Sequence, residues 1–573
     1  MYTLSPKARF SSSVGNGLFN SASLDLHFAK TKSLVDATTG SNLVDFTRAS
    51  SGTYVGSDGL IKTATTNLVT YSQDFDQWSA TNATVTPNAE LAPDGTTTAD
   101  QVTSTASDPW VQRSVTTASA GAYTFSVYIK AATGVSSNVV ALRVFDSDGT
   151  IYGSTSISVT TEWQRYQISV TTAKPVTIVR VDAPNFATIG DVFYLWGAQL
   201  EQSSTVGEYI KTTSTINSAP RFDHDPETGE SLGLLVEESR TNLLLQSNGF
   251  DTTWTESSSS ITAASGTAPD GTNTAWELKD TVDGGPTPHA IVQSYTGWTS
   301  GTTYTFSCWM KAGTLTEGGF IFTSAVFGAV LNARFNLTTG ALISASTGVT
   351  ASSVLYPNGW VRVIATATAT ATDTGNFSIR IMDGSTSYQG DGTGTILIWG
   401  AQLEAGSFPT SYIPTTSSTV TRAADVASIS GSNFSSWYRQ DEGTVFADAA
   451  STRGALIGFS DGTSTERYRI VAASTALAGF GTSGGSTQFN FNTGLDSWIS
   501  PDSGKGALGL KLNNFFVVAN GNYTATDPSG TPPNVDRLFI GNAHINSPLN
   551  GHLRRLTYWP QRLPDSALVN ITS

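Results

Sequence analysis

The 573-residue chain is poor in cysteine, in charge and in basic clusters. Its one cysteine, Cys308, leaves no partner for an intrachain disulfide and no cysteine-based metal site. The five histidines, His27, His224, His289, His544 and His552, are scattered, with no helical His-x-x-x-His pair. Only 13% of residues are charged, and 31 Lys and Arg face 45 Asp and Glu, for a net charge of −14. No basic stripe is present, which argues against nucleic-acid binding and against electrostatic adhesion to anionic lipid. No run approaches 18 apolar residues, so no segment reads as a membrane span. Met1 to Phe10 has no apolar stretch of the signal-peptide kind.

What is present is 39% hydrophobic residues, 54 glycines and an abundance of Ser and Thr. That is not the composition of a disordered chain, which needs high charge and few apolar residues. It predicts a folded β-protein with a hydroxyl-rich surface, divided among several domains.

Internal repetition is the strongest signal. Thr66-Asn67-Leu68 leads to Phe75 and Trp78, and Thr241-Asn242-Leu243 leads to Phe250 and Trp254. Ala92-Pro93-Asp94-Gly95-Thr96 recurs as Ala268-Pro269-Asp270-Gly271-Thr272. The block from Tyr123 to Ala131 recurs from Tyr304 to Ala312, and Trp163 and Arg165 recur as Trp360 and Arg362. The sequence WGAQLE occurs at 196–201 and again at 399–404, each followed by Tyr-Ile at Tyr209 and Tyr412. Five blocks in one order mean one domain present twice, with insertions in the loops of the second copy. Within the Tyr123 block, Tyr123, Phe125, Val127 and Ile129 alternate with Thr124, Ser126, Tyr128 and Lys130, the period of a strand with one face in a core. This predicts two-sheet sandwiches. The region 423–573 lacks the blocks but carries strand runs at 443–447, 455–460, 467–472 and 538–541, and predicts a sandwich of another type.

The segments 46–62 (FTRASSGTYVGSDGLIK), 220–245 (PRFDHDPETGESLGLLVEESRTNLLL) and 411–425 (SYIPTTSSTVTRAAD), with the two WGAQLE blocks, resemble a family of phage structural proteins. The resemblance implies an all-β chain of tandem β-sandwich (jelly-roll) domains like carbohydrate-binding modules, closed by a concanavalin A/laminin-G-like lectin domain. It divides the chain into a virion-attachment segment at 1–20, a small β unit or linker from 21–63 with 218–240, jelly rolls at 64–217 and 241–422, and the lectin-like sandwich at 423–573. In relatives the 59–62 segment runs directly into the PRFDHDP segment, so the first jelly roll reads as an insertion. The implied role is a non-enzymatic adhesin of a bacteriophage virion, a tail fibre or tail-associated protein. It would be made in the host bacterial cytoplasm, attach to other virion proteins through its N-terminus, and bind host-surface polysaccharide as a homotrimer. The rivals are a structural or decorating protein of head or tail, and a glycan-degrading tailspike.

Sugar binding needs flat aromatic faces ringed by hydrogen-bonding groups. Tyr128 and Trp309, with Lys130 and Lys311, lie on the non-core face of the best-defined strand and are the expected glycan contacts. The competing expectation is that these rings pack under a loop or a neighbouring subunit. The recurring Trp78, Trp163, Trp196, Trp254, Trp360 and Trp399 read as core. A structural Ca²⁺ is an expectation of the resemblance, with Asp146-Ser147-Asp148 and Asp94-Gly95 as oxygen-rich loops. Gly458 to Gly462 matches the G-x-S-x-G elbow, but the strand expected after it reads as a turn between strands. Asp223-His224-Asp225 reads as a solvated turn, because alternate side chains on an extended segment point apart.

Overall fold

The computed structural model describes residues 18–135, 138–183, 188–451, 454–472, 477–491, 503–544 and 547–573. The expected attachment segment, 1–20, lies almost wholly outside the described residues. Among those described, the chain is strands joined by turns, and no helix is long and apolar enough to cross a membrane. It divides into two compact units. One is 47–51 with 63–219; the other is 1–46, 52–62 and 220–573.

The first unit is a jelly-roll sandwich of two five-stranded sheets. One sheet runs Gln164–Thr172, Gly121–Ala131, Val192–Glu201, Ala99–Ser104, Ala83–Glu90. The other runs Ile151–Ser158, Val139–Asp146, Val176–Asp182, Trp110–Ser114, Ser79–Thr81. Tyr123, Phe125, Val127 and Ile129 are fully buried and belong to one core with Val140, Leu142, Val144, Val179 and Val181. The alternation in sequence is the alternation in space. The domain enters and leaves at one place: Thr66–Asn67 pairs with Asn217–Ser218, and the Arg48 backbone N–H donates to Asn217 Oδ1.

The second unit holds the other jelly roll, with two six-stranded sheets. The added strands of this copy are Leu342–Ala345 and Thr350–Leu355, each at the edge of one sheet. Phe306, Cys308 and Met310 fill its core with Phe320, Phe377 and Ile379.

The same unit holds the C-terminal sandwich. The predicted strands appear as Glu442–Ser451, Gly454–Ser460, Arg467–Ala472 and Arg537–Ile540. Residues 21–63 and 218–240, expected as a small unit of their own, are placed otherwise. Leu24–Leu26 and Ser231–Val236 both pair with Gly551–Trp559, and Arg221–His224 extends that sheet. Leu24, Leu26, Phe28, Leu234 and Val236 lie in the same core as Val445, Leu508 and Leu556. Segments this short cannot bury an apolar face alone, so they complete a larger sheet. The two segments also meet each other, as Val55 N–H donates to Asp223 Oδ1 (2.5 Å) and Arg221 Nη1 to the Thr53 carbonyl (2.9 Å).

Candidate functional site

The non-core face of Gly121–Ala131 is closed by the chain's own next segment. Thr124 Oγ1 bonds Ser169 and donates to the Ser203 carbonyl. Arg165 donates through Nε and Nη2 to Ser126 Oγ and through Nη1 to the Gly207 carbonyl. Tyr128 sits edge-on to Trp196 and Tyr209, with the Arg165 guanidinium 5.6 Å from its ring centre. The second copy is built alike. Trp309 is only 1% exposed, enclosed by Tyr356, Trp399 and Tyr412 and covered by Arg362 at 4.5 Å. The expectation of a glycan platform at Tyr128 and Trp309 is therefore corrected: these rings pack under the segment that follows WGAQLE. Lys130 pairs with Glu90 at 3.2 Å, and Lys311 is half-buried at the same place on the second copy's strand.

The recurring blocks fasten that segment down. Asn67 Nδ2 donates to the Ala198 and Ile210 carbonyls while its Oδ1 accepts from Val69 and Leu200 N–H. Asn242 repeats the set with Ala401, Ile413, Leu244 and Leu403. Gln199 Nε2 donates to Glu201, and Gln402 Nε2 to Glu404. Ser72 bonds the Tyr209 hydroxyl as Ser247 bonds that of Tyr412. Gly197 and Gly400, at φ +64° and +66°, form bulges where a Cβ would meet Tyr128 at 3.1 Å or Trp309 at 2.9 Å. What recurs between the copies is a structural clamp.

An aromatic cluster lies on the outward face of the other sheet of the first jelly roll, with Trp110, Gln112, Arg143 and Arg180 half-buried and Phe145 8% exposed. On Val176–Asp182, Val179 and Val181 point into the core and Arg180 and Asp182 outward. On Trp110–Ser114, Val111 is core and Trp110 and Gln112 point outward. Cross-strand register puts Gln112 and Arg143 on either side of Arg180, and Trp110 beside Asp182. The Arg180 guanidinium stands 4.4 Å from the Trp110 ring centre and 4.6 Å from that of Phe145. Its Nε donates to Gln112 Oε1 at 3.1 Å. Asp182 takes Arg143 and Arg180 at 3.4 and 3.6 Å; burial raises its carboxyl above the usual range although both guanidiniums pull it down. A half-buried indole beside planar polar groups offers an apolar plane and directional hydrogen bonds together, the two things a pyranose requires. Recurrence could not reveal this face because, of its residues, only Arg180 recurs, as Arg380. The legible signal was alternation, with Trp110 and Gln112 on either side of Val111, and Arg180 and Asp182 alternating with Val179 and Val181.

Reactive geometry is poor elsewhere. Ser460 is buried between strands Gly454–Ser460 and Arg467–Ala472, and its Oγ accepts from Gly462 N–H at 2.7 Å, so the elbow motif is a turn as read. Asp223-His224-Asp225 is a solvated turn only at Asp225, which caps Glu227 and Thr228. Asp223 and His224 are buried, Asp223 accepting from Val55 N–H and bonding His552 Nε2 at 2.8 Å. Asp223 and Glu237 line one cleft of the second unit. Glu237 binds Arg221 at 2.7 Å and accepts two bonds from Ser411. Burial alone would raise its carboxyl, but Arg422 and Arg221 outweigh that and hold it well below the usual range. Both acids are thus occupied by protein partners. For Ca²⁺, Asp94 and Asp146 do not fit: Asp94 Oδ1 accepts from Thr96, and both Asp146 oxygens accept from its own turn and Tyr152. Among the described residues no three His, Cys, Asp or Glu are grouped to hold a metal.

The fold and site define a tandem β-sandwich protein with a half-buried aromatic and guanidinium cluster on an outward sheet face. No protein-family model and no curated protein matches the chain. Among solved structures it is similar to the N-terminal tandem CBM22 domain of a Paenibacillus barcinonensis protein, at 16% identity over 60% of this chain and 98% of that one, with a TM-score of 0.21. It is similar to domains LG4-5 of the mouse laminin α1 chain at 10% identity, covering 49% and 94%, with a TM-score of 0.18. Trypanosoma rangeli sialidase matches at 10% identity over 93% and 91%, with a TM-score of 0.20. At such scores these likenesses add nothing to what the sheets themselves display.

Proposed function

We propose that the chain is a non-catalytic glycan-binding adhesin of a bacteriophage virion, a tail fibre or tail-associated protein that attaches the particle to host-surface polysaccharide. The observation that carries the glycan part is the Trp110–Arg180–Phe145 stack, flanked by Gln112, Arg143 and Asp182 on an outward sheet face. The motifs shared with phage structural proteins support the virion part, with the N-terminal residues as the attachment to other virion proteins and a homotrimer as the assembly. Linked copies would raise avidity without new contacts. The protein partners held by Asp223 and Glu237 favour binding over hydrolysis, which needs a free acid and base.

The test compares the full chain with Trp110→Ala on an array of bacterial surface polysaccharides. Wild type binds a subset, and the variant loses about tenfold in affinity at unchanged melting temperature, the usual weight of an aromatic platform. Equal binding by the variant rejects this face; release of reducing sugar rejects the non-catalytic reading.

A further inference from the structure

The second unit contains a cleft of about 200 Å³ between Thr53–Val55, the second jelly roll and the start of strand Gly551–Trp559. Its walls include Tyr54, Tyr356 and Phe408, with Asn550 and His552 at one side and Arg362 among its lining. That volume equals roughly seven waters at about 30 Å³ each, room for one sugar ring and not for a chain.

Arg362 is the unusual group. It is 9% exposed, and Nη2 alone donates, to Ser307 Oγ (3.0 Å) and the Thr410 carbonyl (2.8 Å). Its buried Nε has no hydrogen-bond partner, and among the described residues no carboxylate oxygen lies within 4 Å of it. Its counterpart Arg165 donates through all three nitrogens. The acids around Arg362 are engaged elsewhere. Glu404 accepts from Gln402 and Thr410, Asp223 from Val55 and His552, and Glu237 from Ser411 and Arg221. Glu404 is near enough to feel the Arg362 charge but does not bond it, and the guanidinium otherwise rests on the Trp309 ring. A buried guanidinium with no carboxylate in direct contact is costly, and an anion brought by a ligand relieves that cost through charge-assisted bonds.

We propose that this cleft binds a single sugar unit bearing an anionic substituent, carboxylate or sulfate, with Arg362 as the anion contact and Tyr54 and Tyr356 against the ring. The inference rests on the glycan-binding reading for its ligand class, but it uses a different domain and a different chemistry from the Trp110 face.

Isothermal titration of the full chain with galacturonic acid, its neutral methyl ester and a galactose sulfate tests it. Wild type is expected to prefer the acid or the sulfated sugar over the ester by about tenfold, and Arg362→Gln to erase that preference. Which of the two anions is preferred identifies the substituent. Should Arg362→Gln lower the melting temperature, Tyr54→Trp, which fills the cleft, decides: loss of the preference supports the proposal and its retention overturns it. Binding of the ester with no gain for either anion overturns the cleft while leaving the glycan reading standing. Binding of none of the three overturns the cleft, and the polysaccharide array decides the glycan reading separately.

Discussion

The two jelly rolls share a skeleton and differ in what they display. Their clamps match at Asn67 and Asn242 and at Tyr209 and Tyr412, and differ at Arg165 and Arg362. Their outer faces do not. Arg180 and Arg380 occupy the same place, but Gln112 and Arg143 flank the first, whereas Ala290 and Gly319 flank the second. Phe145 corresponds to Ile321, and Asp182 to Met382. With no ring to lie between, Arg380 turns to Ser378 and the Thr386 carbonyl. Duplication thus retained the part that makes the fold and varied the part that faces solvent. Changes in the buried network are costly because each loss leaves orphaned polar groups, whereas the outer face costs little to alter.

The strongest way to break this comparison is to cut the clamp in each copy. Asn67→Ala and Asn242→Ala each remove four hydrogen bonds from a fully buried site. Each should destabilise its own domain by about 4 kcal/mol and leave the other unchanged. Amide exchange in strands Gly121–Ala131 and Thr303–Ala312 reads the domains separately. A small effect in one copy would mean that the matched geometry conceals unequal energetics.

A second difference lies under the surface. Asp100 and Trp276 hold the same sequence position. Asp100, 1% exposed, accepts from Phe75, Asp76 and Asn88 N–H, while the Trp276 indole donates to the Asn248 carbonyl. Burial raises the Asp100 carboxyl to about 6 from an ordinary 3.8. A raised carboxyl binds its proton more tightly in the folded state. Stability therefore falls as pH rises from about 4 to about 6, by about 3 kcal/mol, and is level above that. Burial raises Glu404 in the second jelly roll too, so that domain also weakens with rising pH. Asp100→Asn isolates the difference: it should flatten the slope of the first domain between pH 4 and 6 and leave that of the second intact.

Strand content and the duplication were legible in sequence because period-two alternation and block order are written directly in the residues. Residues 21–63 and 218–240 were legible as a small β unit or linker but not as members of the C-terminal sheet, since pairing of Ser231–Val236 and Leu24–Leu26 with a strand more than 300 and more than 500 residues away leaves no local mark. The site was misplaced for a related reason. Tyr128 and Trp309 lie on the non-core face of their strands, and parity alone makes that face look solvent-exposed. Whether a later segment covers it depends on Arg165, Gln199 and Asn67 acting together, a tertiary fact. Trp110, Arg180 and Phe145 lie on three strands and meet only when the sheet forms.

The smallest expected effect is the sharpest check on which sheet carries the ligand. Lys130 lies on the clamped sheet, paired with Glu90, both side chains about a quarter exposed. A pair so open to water contributes less than about 1 kcal/mol. Lys130→Ala and Lys311→Ala should therefore leave melting temperatures within a few degrees of wild type and glycan affinity within about twofold. The reason is geometric: the rings beside these lysines are sealed by residues 203–213 and 406–415, so removing the ammonium opens no surface to a sugar. If Lys130→Ala instead weakens binding as much as Trp110→Ala, the clamped face is the one that meets the glycan, and the covering segment must lift to admit it.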